Sequence, residues 1–255
     1  MNILRLGDSN DTFGPIPEDQ RAWRIVERRL ADDIGEPVRT ILKSAWPSPS
    51  LPDAVERWLH QFEPDLVLVC TPSFWVAFPS APLVLESSSS ALMRRLGQAA
   101  TSLSRRPAIA HTAAFRAARR LAYRTVGYRY FFEPAEVADC IEEVLRRVLR
   151  REEVALALRA PETLGLPLSP QIAAQSRARF LEMHRLLADA CQRLHVPCLP
   201  DSPDATRDPA ELLDDITHLN ARGHRRFAQL EYRLHRLALE QSGRLPLQPR
   251  PLPPS

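Results

Sequence analysis

The apolar run Ile3-Leu4-Arg5-Leu6 stops abruptly at Gly7-Asp8-Ser9-Asn10, where a strand gives way to turn chemistry and a serine sits at the junction. Gly7 lets the backbone turn sharply, so the Ser9 hydroxyl is expected to be exposed, with its amide facing a helix terminus. A serine hydroxyl is a weak nucleophile until a base takes its proton, and that base needs a carboxylate to orient it. Of seven histidines, one lies in a stretch with that chemistry: Asp215-Ile216-Thr217-His218-Leu219-Asn220-Ala221-Arg222-Gly223-His224. The DxxH spacing lets one short segment present both groups. Asp215 can accept from one ring nitrogen of His218 while the other faces Ser9. Asp214 is a rival one residue off this spacing. His224 reads as a packing or solvent-exposed helix residue, and His111 lies in a separate segment that could approach the same place.

The rest of the chain supplies the elements that must bring these blocks together. After the first strand, Pro17-Glu18-Asp19 opens a helical pattern that runs through Trp23, Ile25, Val26, Leu30 and Ile34 to Gly35. Strands follow at Val38–Leu42, Asp65–Cys70, Val154–Leu158 and Val196–Leu199. Helices are expected at Leu51–Phe62, Pro134–Arg151, Pro170–Leu194 and Ala221–Glu240. Five apolar strands alternating with helices imply a parallel, doubly wound sheet covered on both faces. Functional groups in such sheets collect beyond the carboxyl ends of the strands, which is where Ser9 falls.

A Gly-Asp-Ser block closing the first strand and a DxxH block before the last helix, continued as HLNxxGH, resemble the SGNH, or GDSL, hydrolase family. The resemblance covers the chain outside Phe74–Phe132. It implies a three-layer α/β/α sandwich with a five-stranded, parallel, flavodoxin-like sheet in the order 2-1-3-4-5. It also implies Ser9 as nucleophile, His218 as base and then acid, Asp215 as its orienter, and an acyl-enzyme formed from a carboxylic ester. No metal or organic cofactor is expected. Two middle blocks depart from the family. Lys43-Ser44-Ala45-Trp46-Pro47-Ser48-Pro49 has no glycine after the second strand, and Phe74 stands where an asparagine amide would help bind the oxyanion. Losing one such donor typically costs about 10²–10³ in rate. The candidate replacements are the N–H groups of Ser9, Ser44, Ala45 and Trp46, the Ser73 hydroxyl and the Trp75 indole. Asn10 is a further substrate-binding candidate beside the nucleophile.

The segment inserted after the third strand, at about 74–132, is proline-, serine- and arginine-rich, with helical stretches near Ala91–Leu103 and Ala113–Tyr123. Between Ser87 and Phe132 it holds nine arginines (94, 95, 105, 106, 116, 119, 120, 124 and 129) and no acidic residue. This is either a solvated face or a basic lid that attracts an anionic substrate, lipid head group or acidic protein. Leu92, Leu96, Phe115, Leu121, Tyr123, Tyr128, Tyr130, Phe131 and Phe132 would give such a lid an apolar underside. The chain of 255 residues, 44% hydrophobic, suits one α/β domain over 1–243 with a proline-rich tail at 244–255. Its net charge of +3 comes from arginine with a single lysine, Lys43. No nucleic-acid-binding motif accompanies it. Cys70, Cys140, Cys191 and Cys198 lack CxxC spacing and read as reduced thiols, which suits the cytoplasm. Neither a membrane span nor a leader is recognisable. An esterase, lipase or deacetylase activity is expected, with acyl transfer to another hydroxyl as a variant. The alternative is a catalytically weak or inactive relative that binds an anionic ligand, membrane surface or protein through the basic segment.

Overall fold

The computed structural model describes residues 1–104, 112–163, 168–202, 208–213 and 218–244. Arg105, Arg106, His111, Asp214, Asp215 and the tail from 245 onward lie outside the described residues, as do the side chains of Phe115, Arg116, Arg119 and Arg120. In chain order the strands are β1 (Asn2–Gly7), β2 (Arg39–Ser44), β3 (Leu66–Cys70), β4 (Ala155–Arg159) and β5 (Cys198–Leu199). The helices are α1 (Ala22–Ile34), α2 (Leu51–Phe62), α3 (Phe74–Ala77), α4 (Ala81–Glu86), α5 (Ala91–Ser104), α6 (Ala113–Thr125), α7 (Pro134–Leu149), α8 (Pro170–Leu194) and α9 (Ala221–Gln241).

The five strands are parallel, as the alternation of strand and helix requires, and lie in the order β2-β1-β3-β4-β5 that the family resemblance implies. Strand parity sorts the side chains between two cores. Leu4, Leu6, Val67, Val69, Leu156 and Leu158 face one side, with buried residues of α2, α7 and α8. Ile3, Leu66, Leu68, Cys70, Ala155 and Ala157 face the other, with α1 and α9. Both helical layers end where the sequence signals a stop or a start. Gly35 closes α1 in the left-handed conformation at φ 71°. Glu133 and Glu136 form a reciprocal capping box around Pro134 at the start of α7.

Three expectations change. Strand β5 is two residues long. It is the edge strand, and Pro197, with no N–H, pairs only through its carbonyl, which accepts from Leu158. The helices α3 and α4 are too short to show periodicity and were not anticipated. The apolar residues of the inserted segment divide: Tyr123 is buried, its hydroxyl donating to the Pro79 carbonyl, but Leu92, Leu96 and Leu121 face solvent rather than forming an underside. The cause lies in α5, whose glycine face permits closer packing than its leucine face. A Cβ on Gly97 would stand 2.9 Å from Glu86 N and 3.0 Å from the Pro82 carbonyl of α4.

Among the described residues no helix is long and apolar enough to cross a membrane. Their cysteines are free thiols, with Cys70 and Cys191 buried and Cys140 and Cys198 partly buried.

Candidate active site

Residues 8–13 leave β1 as a single tight turn. Asp8 caps it, its carboxylate accepting from Asn10 N–H at 2.8 Å, and Phe13 N–H closes back on the Ser9 carbonyl at 2.7 Å. Arg21 spans the outside, donating to the carbonyls of Asn10, Phe13 and Gly14, and the Trp23 indole donates to the Asp11 carbonyl. Five donors thus hold a turn in which Ser9 alone of residues 9–11 is exposed.

The second block arrives at the same point. His218 Nε2 lies 2.9 Å from Ser9 Oγ, within hydrogen-bonding reach across 209 residues of chain. The His218 ring stacks on Phe13 with centroids 4.0 Å apart, so the turn that carries the hydroxyl also orients the imidazole. Leu219 N–H donates to the buried Asn10 Oδ1 at 2.9 Å, which fixes one backbone to the other. Asn220 caps α9 through the N–H groups of Arg222 and Gly223, and its own amide holds the carbonyls of Ala210 and Leu212. Gly223 is required there, because a Cβ would meet the Glu211 carbonyl at 2.4 Å.

The remaining candidates are placed as follows. Ala45 is buried and its N–H already donates to the Gly7 carbonyl at 3.3 Å. The N–H groups of Ser9 and Trp46 have no acceptor among the described residues. Each lies two positions beyond a residue of the register pair Gly7↔Ser44, so the two stand at adjacent strand ends. The Ser73 hydroxyl is buried without a hydrogen-bond partner among the described residues, and Trp75 lies in the core. Phe74 occupies no polar niche. Its ring joins Trp46, Phe78 and Phe131, with centroids 6.1, 5.5 and 4.8 Å away.

Beneath the turn lies a buried ionic cluster that the residue patterns did not disclose. Arg5 on β1 and Arg159 on β4 have the parity that faces α9, where Glu231 is fully buried. Arg5 grips Glu231 through two nitrogens at 2.8 and 3.0 Å and Asp11 Oδ1 through Nε at 2.9 Å. Arg159 bonds both Glu231 and, at 2.8 Å, the Asp8 carboxylate that caps the serine turn. Burial alone would raise Glu231, but the Arg5 and Arg159 guanidiniums outweigh it and hold its carboxyl below the ordinary range. Burial does prevail at Asp11, whose carboxyl is raised despite Arg5, with Asp8 adding to the rise. Asp11 Oδ2 has no hydrogen-bond partner among the described residues and abuts Gly7, whose Cα leaves no room for a side chain. Burial also pushes the Cys70 thiol, between the two arginines, up to about 12.

Two histidines of α9 complete this layer. His224 Nδ1 accepts from Ala22 N–H at 3.2 Å, capping the first turn of α1, and His235 Nδ1 donates to the Glu231 carbonyl. Both are buried, and burial pushes each down to about 4. Each is neutral in the folded protein and takes up a proton near 6.5 once unfolded, so folding stability falls as pH drops from 6.5 toward 4. Urea midpoints measured from pH 7 to 4.5 are expected to decline, with a shallower decline in a His224→Asn variant. An unchanged slope would mean that His224 titrates alike in both states.

No family model and no curated protein matches the sequence. Solved structures do. The psychrotrophic esterase EstA from a Pseudoalteromonas species is 11% identical, with a TM-score of 0.51, over 94% of this chain and 98% of that one. TesA is 13% identical, with a TM-score of 0.54, over 95% and 99%. A protein assigned to the lipolytic G-D-S-L family, from Desulfitobacterium hafniense, is 9% identical, with a TM-score of 0.51, over 91% and 98%. Such identities establish architecture and nothing finer. The chain has the α/β/α fold that these esterases and lipolytic proteins share, along nearly the whole length of each.

Proposed function

We propose that the protein is a serine hydrolase of carboxylic esters, working through an acyl-enzyme on Ser9. The observation that carries this reading is the 2.9 Å approach of His218 Nε2 to an exposed Ser9 Oγ, held by the Asn10–Leu219 tie and the Phe13 stack. In the first step Oγ attacks the ester carbonyl while Nε2 takes its proton. The imidazolium then returns that proton to the leaving alcohol. Water, deprotonated by the same nitrogen, releases the acid and restores Ser9. By its DxxH spacing Asp215 is the carboxylate that orients His218. The Ser9 and Trp46 N–H groups serve the oxyanion, in place of the glycine and asparagine that the sequence lacks.

Phe74 favours one competing reading, a non-catalytic binder, because an aromatic cluster replaces a side-chain amide beside the nucleophile. A fluorophosphonate probe separates the two. Covalent phosphonylation of Ser9, absent in Ser9→Ala and slowed at least about a hundredfold in His218→Ala, is expected of the hydrolase. An inert Ser9 in the folded wild-type protein would leave the binder.

A further inference from the structure

Helix α5 is oriented the wrong way round for a helix of a soluble core. Its small-residue face, Gly97 with Ala100 and Thr101, packs on α4, where a Cβ on Gly97 would meet Glu86 N and the Pro82 carbonyl at about 3 Å. Its apolar stripe points outward. Leu92 is 64% exposed, Leu96 49% and Met93 41%, with Ala99 exposed one turn further along. The spacing of Leu92, Leu96 and Ala99 sets them in one row. Leu121 and Val126, at the end of α6, are exposed as well.

The charge beside this row has one sign. Arg94 and Arg95 flank the leucines, and Arg124 in the last turn of α6 and Arg129 beyond it are exposed. None of the four has a carboxylate partner among the described residues. Arg94 donates only to the carbonyls of Ser88 and Ser89. No acidic residue occurs in the sequence between Glu86 and Glu133. A second copy of the chain docking on the same surface would bring arginine against arginine. Exposed leucines between exposed arginines match instead a flat surface that is apolar inside and anionic at its rim.

We infer that α5 docks the protein on anionic lipid bilayers, leucines in the acyl region and arginines at the head-group phosphates. The segment leaves β3 at the carboxyl edge of the sheet, the edge at which Ser9 also lies. The inference concerns binding and stands whether or not Ser9 turns over an ester.

The test is co-sedimentation of the full chain with vesicles of phosphatidylcholine alone or of phosphatidylcholine and phosphatidylglycerol in equal parts. Partition into the anionic vesicles is expected to exceed that into neutral ones by at least about tenfold and to fade with salt. Leu92→Ser with Leu96→Ser should lower it about tenfold or more with circular dichroism unchanged, since both side chains already face water. Arg94→Gln with Arg95→Gln should narrow the preference for anionic lipid. Three results would each overturn the inference. One is equal or absent binding to the two vesicle types, including the case where polyglutamate is bound instead. Another is wild-type binding by the double serine variant. The third is a free protein that sediments as a dimer which the serine substitutions dissociate.

Discussion

Ser9→Ala and His218→Ala should each lower ester turnover by roughly 10⁴–10⁶, and the double variant should be little worse than either alone. In the proposed mechanism the two atoms form one device. Without a base the hydroxyl is scarcely nucleophilic, and without the hydroxyl the imidazole has no proton to move. Their 2.9 Å separation makes that dependence direct. Neither substitution should disturb the fold, because Ser9 is exposed and the Asn10–Leu219 tie that joins the two blocks is untouched. The measurement is a double-mutant cycle on kcat/KM with a short-chain ester. Losses that add would mean that the two residues act separately. Losses confined to KM would mean that they only bind.

Glu231→Gln should be among the most destabilising isosteric changes possible in this protein, costing about 3–5 kcal/mol in urea unfolding, whereas Asp11→Asn should be nearly neutral. Glu231 sits between two buried guanidiniums, and an amide there would turn donors toward donors while leaving both cations short of a counter-charge. Within the cluster of Arg5, Arg159, Asp8, Asp11 and Glu231, the two carboxyls Glu231 and Asp11 shift in opposite directions. A depressed carboxyl adds stability above its unfolded pKa, near pH 4, and loses it as pH falls through the folded value. A raised carboxyl does the reverse and opposes folding at neutral pH. Removing the Glu231 charge therefore takes away a stabilising ion, and removing the Asp11 charge relieves a costly one. Comparable losses from both variants would show that Asp11 contributes as an anion. A secondary consequence reaches the site. Arg159 holds the Asp8 carboxylate that caps the serine turn, so Glu231→Gln should also reduce kcat at temperatures where the variant remains folded.

Much of this protein was legible from residue order because the signals are local. Val, Leu and Ile runs bounded by turn residues must form buried strands, and strands alternating with helices leave a parallel sheet as the economical topology. That reasoning reached the parallel sheet and the ends of α2 and α8 to the residue, while the strand order came from the family resemblance. It also singled out Ser9 and His218 as a pair, since a serine at a strand end and a histidine before the last helix are read from residue type and position. Their approach within 2.9 Å is a fact of the assembled sheet.

What local pattern could not carry depends on which surfaces meet. Arg5 and Arg159 share a strand parity, and Glu231 lies on the buried face of an amphipathic helix. Each alone reads as an anomaly, and only the packing of α9 on the sheet turns three anomalies into one satisfied cluster. Arg21 and His224 belong with them, as a guanidinium over backbone carbonyls and an imidazole capping another helix. The same holds for the backbone N–H groups near Ser9. Ala45 and Trp46 are equivalent by sequence, but the register of β1 and β2 ties up the first and leaves the second open. In α5 periodicity marked the leucine stripe correctly and suggested the wrong side for it. A hydrophobic stripe states which face would rather be dry, whereas backbone approach at Gly97 decides which face packs. Burial is a property of pairs of surfaces, and a sequence lists them one at a time.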